Sequence, residues 1–199
     1  MKSPARRKCQ EDGRAARGAR SREAIIDALF ELVGQGILRP TAQDVATRAG
    51  VGIRTVFRHF RDMDSLYVEI DARLRAEMRP KIESVHPTGN LEARIRGLVA
   101  HRSEMFELVA PYKRSTELLR WNSEFLTGAH RRGVREQRAD LLRWLPELES
   151  APDELTQATE LVTSFESWDR LRCDQKLGAA RARAAVERAA LALLRDLQS

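Results

Sequence analysis

The chain has 199 residues, 42% hydrophobic and 32% charged, with seven prolines and eleven glycines. That is enough apolar material for a packed core in one ordinary domain, or in a small module plus a larger domain. It excludes a membrane-spanning protein, because no apolar run approaches the ~18–20 residues a span needs. Two distant cysteines, Cys9 and Cys173, exclude a disulfide framework and a zinc pattern; reduced thiols in a cytoplasmic protein are expected. The Arg-rich start lacks the apolar stretch of a secretory signal.

The charge is divided unevenly. Residues 1–61 hold 13 Lys and Arg against 6 Asp and Glu, a net of +7. The rest of the chain holds 22 against 23, a net of −1. The basic excess therefore lies wholly in the first third, where phosphates would be neutralised if this part meets nucleic acid.

In chain order, residues 1–20 are polar, basic and without an apolar stripe, and read as a flexible arm able to reach a minor groove. Ser21 begins a helix to about Val33, with Ile25, Ile26, Leu29, Phe30 and Val33 on one face. Gly34, Gly36 and Pro40 close it. Thr41 caps a second, short helix whose Val45 and Ala46 face inward. Ala49-Gly50 makes a turn. A third helix covers about Gly52 to His59, and Val56 and Phe60 pack back onto the first helix. Two short helices joined by a tight turn, the second rich in basic and aromatic residues, form the layout of a helix-turn-helix, whose second helix enters the major groove.

A fourth helix begins near Asp62 and Asp64, acids suited to the positive end of its dipole, and is expected to stop before Pro80. A fifth spans about 90–109 and stops at Pro111. One or two helices fill 112–145 and end at Pro146. Pro152 opens another over about 152–172. Gly178 separates it from a last helix over about 179–197. No alternating run suggests a strand, so an all-α protein of about nine helices is expected.

Residues Thr41–Phe60 read T-x-x-D-V-A-x-x-A-G-V-x-x-x-T-V-F-x-H-F, followed by a helix opening at Asp62–Leu66. This stretch resembles the TetR family of transcriptional repressors. Ser167-Trp168-Asp169-Arg170-Leu171-Arg172 is similar to a branch of the same family. The resemblance implies an N-terminal DNA-binding domain at residues 21–61, after the 1–20 arm, and a ligand-binding and dimerisation domain at 62–199.

It also implies roles. Thr41 caps the second helix close to phosphate, and Gly52 takes a capping position where Ser is usual. Ile53 and Arg54 meet base edges, and Thr55 meets phosphate or base. Phe57, Arg58 and His59 grip the backbone, with Arg61 beside them. The chain departs from the family in three places. Phe57 lacks the hydroxyl of the usual Tyr, Met63 lacks the amine of the usual Lys, and Arg54 replaces a small residue. An Arg there can bond guanine O6 and N7 together.

The family also implies a small-molecule effector. Candidate pocket residues are His101, Met105, Phe106, Tyr112, Trp121, Phe125, Trp144 and Trp168, suiting an apolar or amphipathic ligand. A homodimer is expected through Leu155, Val162, Phe165, Val186, Ala190, Leu193 and Leu197. The operator is then an inverted repeat, its half-sites about 10 bp or a longer whole-turn interval apart.

Enzymatic signals are lacking. There is no phosphate loop, nucleophile elbow or HExxH. The four histidines, His59, His86, His101 and His130, have no metal-ligand spacing. No catalytic residue, metal or cofactor is expected. The rival readings are an architectural DNA-binding protein without ligand response, and an adaptor whose helix-turn-helix no longer binds DNA.

Overall fold

The computed structural model describes the backbone of residues 4–198 and side chains from residue 16 onward, apart from residues 196 and 198. No described residue lies in a strand. The helices are α1 (Pro4–Gly34), α2 (Ala42–Arg48), α3 (Ile53–His59), α4 (Met63–Glu83), α5 (Leu91–Leu119), α6 (Glu124–Trp144), α7 (Asp153–Val162), α8 (Phe165–Asp169) and α9 (Ala179–Leu193). No described helix is long and apolar enough to cross a membrane.

The chain forms two compact units. The first holds residues 1–74 and 111–127, the second 75–110 and 128–199. The first thus contains the helix-turn-helix, the start of α4, and a returning segment from the end of α5 to the start of α6, which a single boundary at 61/62 does not describe.

In the first unit, Ile25, Ile26, Leu29 and Val33 of α1 pack with Val45, Ala46, Val56, Phe60, Leu66, Tyr67, Ile70 and Leu126. Each large apolar side chain fully buried this way contributes about 1.5–3 kcal/mol. The returning segment is pinned by polar contacts as well. Buried Ser115 donates to the Leu38 carbonyl at 2.8 Å and shares a 2.9 Å hydrogen bond with the Tyr67 hydroxyl. Tyr112 stacks on Phe30, ring centres 4.5 Å apart.

The second unit has two apolar clusters. One gathers Ile95, Leu98, Leu141, Trp144, Leu145 and Leu148 with Ala190 and Leu194. The other gathers Val99, Phe106, Ala110, Phe165, Trp168, Ala182 and Val186.

The structure corrects several element boundaries. Helix α1 begins at Pro4, not Ser21, so residues 4–20 are helical rather than a flexible arm. Ala and Arg are strong helix formers, and propensity sufficed where no apolar stripe existed. Cys9 lies in that helix, its side chain outside the described residues. Pro80 and Pro111 fall inside α4 and α5 instead of ending them. A proline removes one i→i−4 bond and strains the turn, yet the helix survives where flanking turns are packed, as Ala110 and Ser115 are around Pro111. The segment expected as one helix over 152–172 is broken at Thr163-Ser164, where Ser164 caps α8 by accepting the Ser167 backbone N–H at 3.2 Å. A π-helical turn over Arg170–Asp174 follows.

Candidate nucleic-acid interface

Helix α2 starts with a reciprocal cap. The Thr41 backbone N–H and hydroxyl both donate to Asp44 Oδ2, at 2.8 and 2.7 Å, while the Asp44 N–H donates to Thr41 Oγ1 at 3.2 Å. These bonds favour the ionised carboxylate and hold Asp44 below the usual carboxylate range. Gly50 makes the turn with φ +65°, a left-handed conformation that suits glycine. Gly52 then caps α3 through its backbone, with no side-chain bond. Asp62 caps α4, accepting the Ser65 N–H at 2.8 Å, and Arg61 pairs with it at 3.0 Å.

With Val56 and Phe60 buried, the other faces of α3 are turned outward. Ile53, Arg54, Phe57 and Arg58 are exposed, Phe57 to 53%. Arg54 and Arg58 make no ion pair among the described residues. Two bare apolar side chains between two unneutralised cations, on a helix anchored from behind, make a contact surface. Thr55 is half-buried beside it.

His59 sits differently. Its ring is half-buried, its Nε2 is enclosed without a hydrogen-bond partner, and a Cβ on Gly18 of α1 would lie 3.9 Å from its Cε1. Burial, with the neighbouring Arg58 and Arg22 cations, holds the imidazole below its ordinary range. The sequence singled out His59 as a backbone grip; the structure places it at the seam between α3 and α1, near Gly18. Arg22 stacks on Phe60 at 5.3 Å and pairs with Glu69 at 2.6 Å on the same seam.

The eight residues expected to line a ligand pocket are divided between the two units. Tyr112 and Phe125 pack against the core of the first unit. Trp121 is 76% exposed, under the Arg120 guanidinium at 4.1 Å. In the second unit, His101 stacks on Trp144 with ring centres 6.2 Å apart, and Met105 is half-buried. Phe106 and Trp168 share a cavity of about 10 Å³ with Val99, Arg102, Ser103, Thr163, Ser164 and Val186. That is about the space of one water. Phe106, Trp144 and Trp168 are buried in the core of the second unit.

The sequence left Arg102 unassigned. It is 4% exposed and donates to the Thr163 carbonyl and hydroxyl at 3.0 and 2.8 Å, to the Gln137 carbonyl, and to Asp140 at 3.4 Å. A buried cation with several acceptors closes the end of α7.

The residues expected at a dimer interface are buried or half-buried within this chain. Phe165, Val186 and Ala190 are buried in this chain's own core, and Leu155, Val162, Leu193 and Leu197 pack beside it. The outer surface of these helices carries Leu161, 65% exposed, and a shallow hollow of about 240 Å³ lined by Val162, Ser167, Arg170, Leu171, Ala185, Val186 and Ala189, so that Val162 and Val186 of the expected set border it. Helical periodicity marked the inward stripe, while the outer alanines give little periodic signal.

Residues 25–70 match the family described as bacterial regulatory proteins, tetR family. No curated protein matches the chain. Among solved structures, the chain is similar in fold to a crystal structure assigned as a TetR-family transcriptional regulator from Rhodococcus sp.. The TM-score is 0.61 at 16% identity, covering 87% of this chain and 98% of that one.

Proposed function

We infer that this chain, whose residues 25–70 match the tetR family of bacterial regulatory proteins, is a homodimeric repressor. Each α3 lies in a major groove of an inverted-repeat operator. The observation that carries this reading is the outward face of α3, with Ile53 and Phe57 bare and Arg54 and Arg58 unneutralised. Arg54 reads a guanine edge, while Arg58, Thr41, Thr55, Gly52, His59 and Arg61 hold phosphates. Dimerisation uses the outer face of α7 and α9, around Leu161, Leu171, Ala185 and Ala189.

Selection from a random duplex library with purified protein, at about 150 mM salt, tests the reading. Enrichment of one inverted repeat supports it. Binding that vanishes with salt and enriches nothing overturns it in favour of an architectural protein.

A small amphipathic effector would enter the second unit beside Arg102, Phe106 and Trp168 and release the operator, biasing a two-state change. The nearly filled cavity there favours a second reading, a regulator without a small-molecule effector. Screening for ligands that raise the unfolding temperature and weaken operator binding together separates the two.

A further inference from the structure

We propose that His101 is an acid-sensing latch: its neutral imidazole closes the crossing of α5 on α6, and taking up a proton opens that crossing and releases the operator. Release of the operator rests on the DNA-binding reading above; the latch itself does not.

His101 is 7% exposed and stacks on Trp144, ring centres 6.2 Å apart and 24° from parallel. It forms no hydrogen bond with another described residue. The charged groups that face it come from both helices: Arg102 and Glu104 of α5, and Asp140 and Arg143 of α6. Glu104 is exposed. Asp140 is already taken: its Oδ1 accepts from Arg143 at 2.7 Å, and its Oδ2 from the buried Arg102 at 3.4 Å. Two guanidiniums thus share one carboxylate beside a buried imidazole. A proton on His101 adds a third cation at a place where burial penalises charge.

The crossing is also built close to balance. Trp144 is 3% exposed, and its indole N–H is enclosed without an acceptor. A buried donor left unmet favours any state in which water reaches it. The crossing therefore has two states: closed around a neutral ring, or opened with the imidazolium and the indole N–H both hydrated. Burial holds the imidazole below its ordinary value near 6.5. The closed state is fully favoured above that value and loses ground as pH falls below it.

Both helices continue into the unit that reads DNA. Past Pro111, α5 carries Ser115, which bonds the Leu38 carbonyl and the Tyr67 hydroxyl. Near its start, α6 carries Leu126, part of the core under the helix-turn-helix. A change in packing at His101 and Trp144 is carried along these two helices to the residues that cover that core.

The test measures operator affinity from pH 7.5 to 5.5, at fixed ionic strength, for wild type and His101→Gln. Wild-type Kd rises on acidification, by up to about tenfold per pH unit as one proton allows. His101→Gln keeps any pH dependence that His59 brings at the DNA face but lacks this rise; equal profiles overturn the latch. Two readouts need no DNA. Amide exchange in α5 and α6 at pH 5.5 is faster in wild type than in His101→Gln, and equal rates overturn the latch even if no operator is found and the proposed function fails. Imidazole NMR covers the case in which His101→Gln does not fold. Arg143→Gln frees Asp140 Oδ1 for the imidazolium and moves the His101 titration upward; an unmoved titration overturns the latch.

Discussion

Glu107 grips the Arg172 guanidinium with both carboxylate oxygens, at 2.8 and 2.9 Å, and also accepts the Trp168 indole N–H at 2.9 Å. One side chain of α5 thus ties down both α8 and the π-helical turn after it. Removing it leaves the indole N–H of a buried Trp168 without its acceptor, which costs about 1–3 kcal/mol. Glu107→Ala should lower stability by that amount and shift tryptophan emission. Glu107→Gln, which keeps a carbonyl acceptor, should lose less. Urea unfolding followed by fluorescence measures both; equal losses would show that the acceptor is immaterial.

The Thr41–Asp44 box predicts a double effect. Thr41→Ala removes the N-cap of α2, worth about 1 kcal/mol, and one proposed phosphate contact. Thr41→Ser should restore the stability and most of the DNA affinity. Thermal unfolding with operator titration checks this, and a Ser variant as unstable as Ala would refute the capping role.

Arg54 separates specificity from affinity. Arg54→Ala should reduce discrimination against one base-pair change by about 1–3 kcal/mol while sparing binding to random duplex. Arg58→Ala should weaken operator and random duplex alike. Competition titrations on both duplexes decide; uniform weakening by Arg54→Ala would make it a phosphate contact.

His101 predicts a pH dependence. Burial lowers its pKa, with Arg143 and Arg102 adding to the shift and Asp140 and Glu104 opposing it. The unfolded imidazole therefore takes up protons at a higher pH than the folded one. Its contribution to stability is complete above the unfolded value near 6.5 and is lost as pH falls from there toward the folded value. Stability measured by urea at pH 7.5 and 5.5 should drop on acidification, and His101→Gln should shrink that drop. An identical drop in the variant would assign it to other groups.

The outer face of α7 and α9 predicts the oligomer. Leu161→Glu with Ala189→Glu should give a folded monomer in sedimentation, with operator affinity sharply reduced because two linked half-site contacts become one. Phe165→Ala should instead destabilise the chain by about 3–5 kcal/mol, as for a core aromatic. A dimeric double-Glu variant would place the interface elsewhere.

The helix-turn-helix was legible in the sequence because its signals are short-range. The Thr41 cap, the Gly50 turn and the inward Val45, Ala46 and Val56 each act within a few residues. The apolar stripe of α1 from Ile25 to Val33 was equally plain. What could not be read depends on distant partners. Pro80 and Pro111 signal helix ends locally, yet α4 and α5 run across them, α5 with Ala110 and Ser115 packed on either side of Pro111. Arginines and alanines in residues 4–20 carry helix propensity without a stripe, so periodicity alone passed over the helix. Trp121 and Trp144 look alike in sequence; one is exposed beside Arg120 and the other packs against Gly97, where a Cβ would lie 2.6 Å from its ring. The helix-turn-helix was readable from local pattern, but the surroundings of each aromatic side chain depended on long-range contacts that one sequence does not display.

The return of residues 111–127 to the first unit has a consequence for anyone wishing to graft this module onto another sensor. Tyr67 and Phe30 are covered by Ser115 and Tyr112, and Leu126 fills the core beside Ile70. A transplant cut after α4 would carry the reading head but strip away the lid over its interior. The unit is inherited as two separate stretches of chain, and its recombination with foreign partners requires moving both.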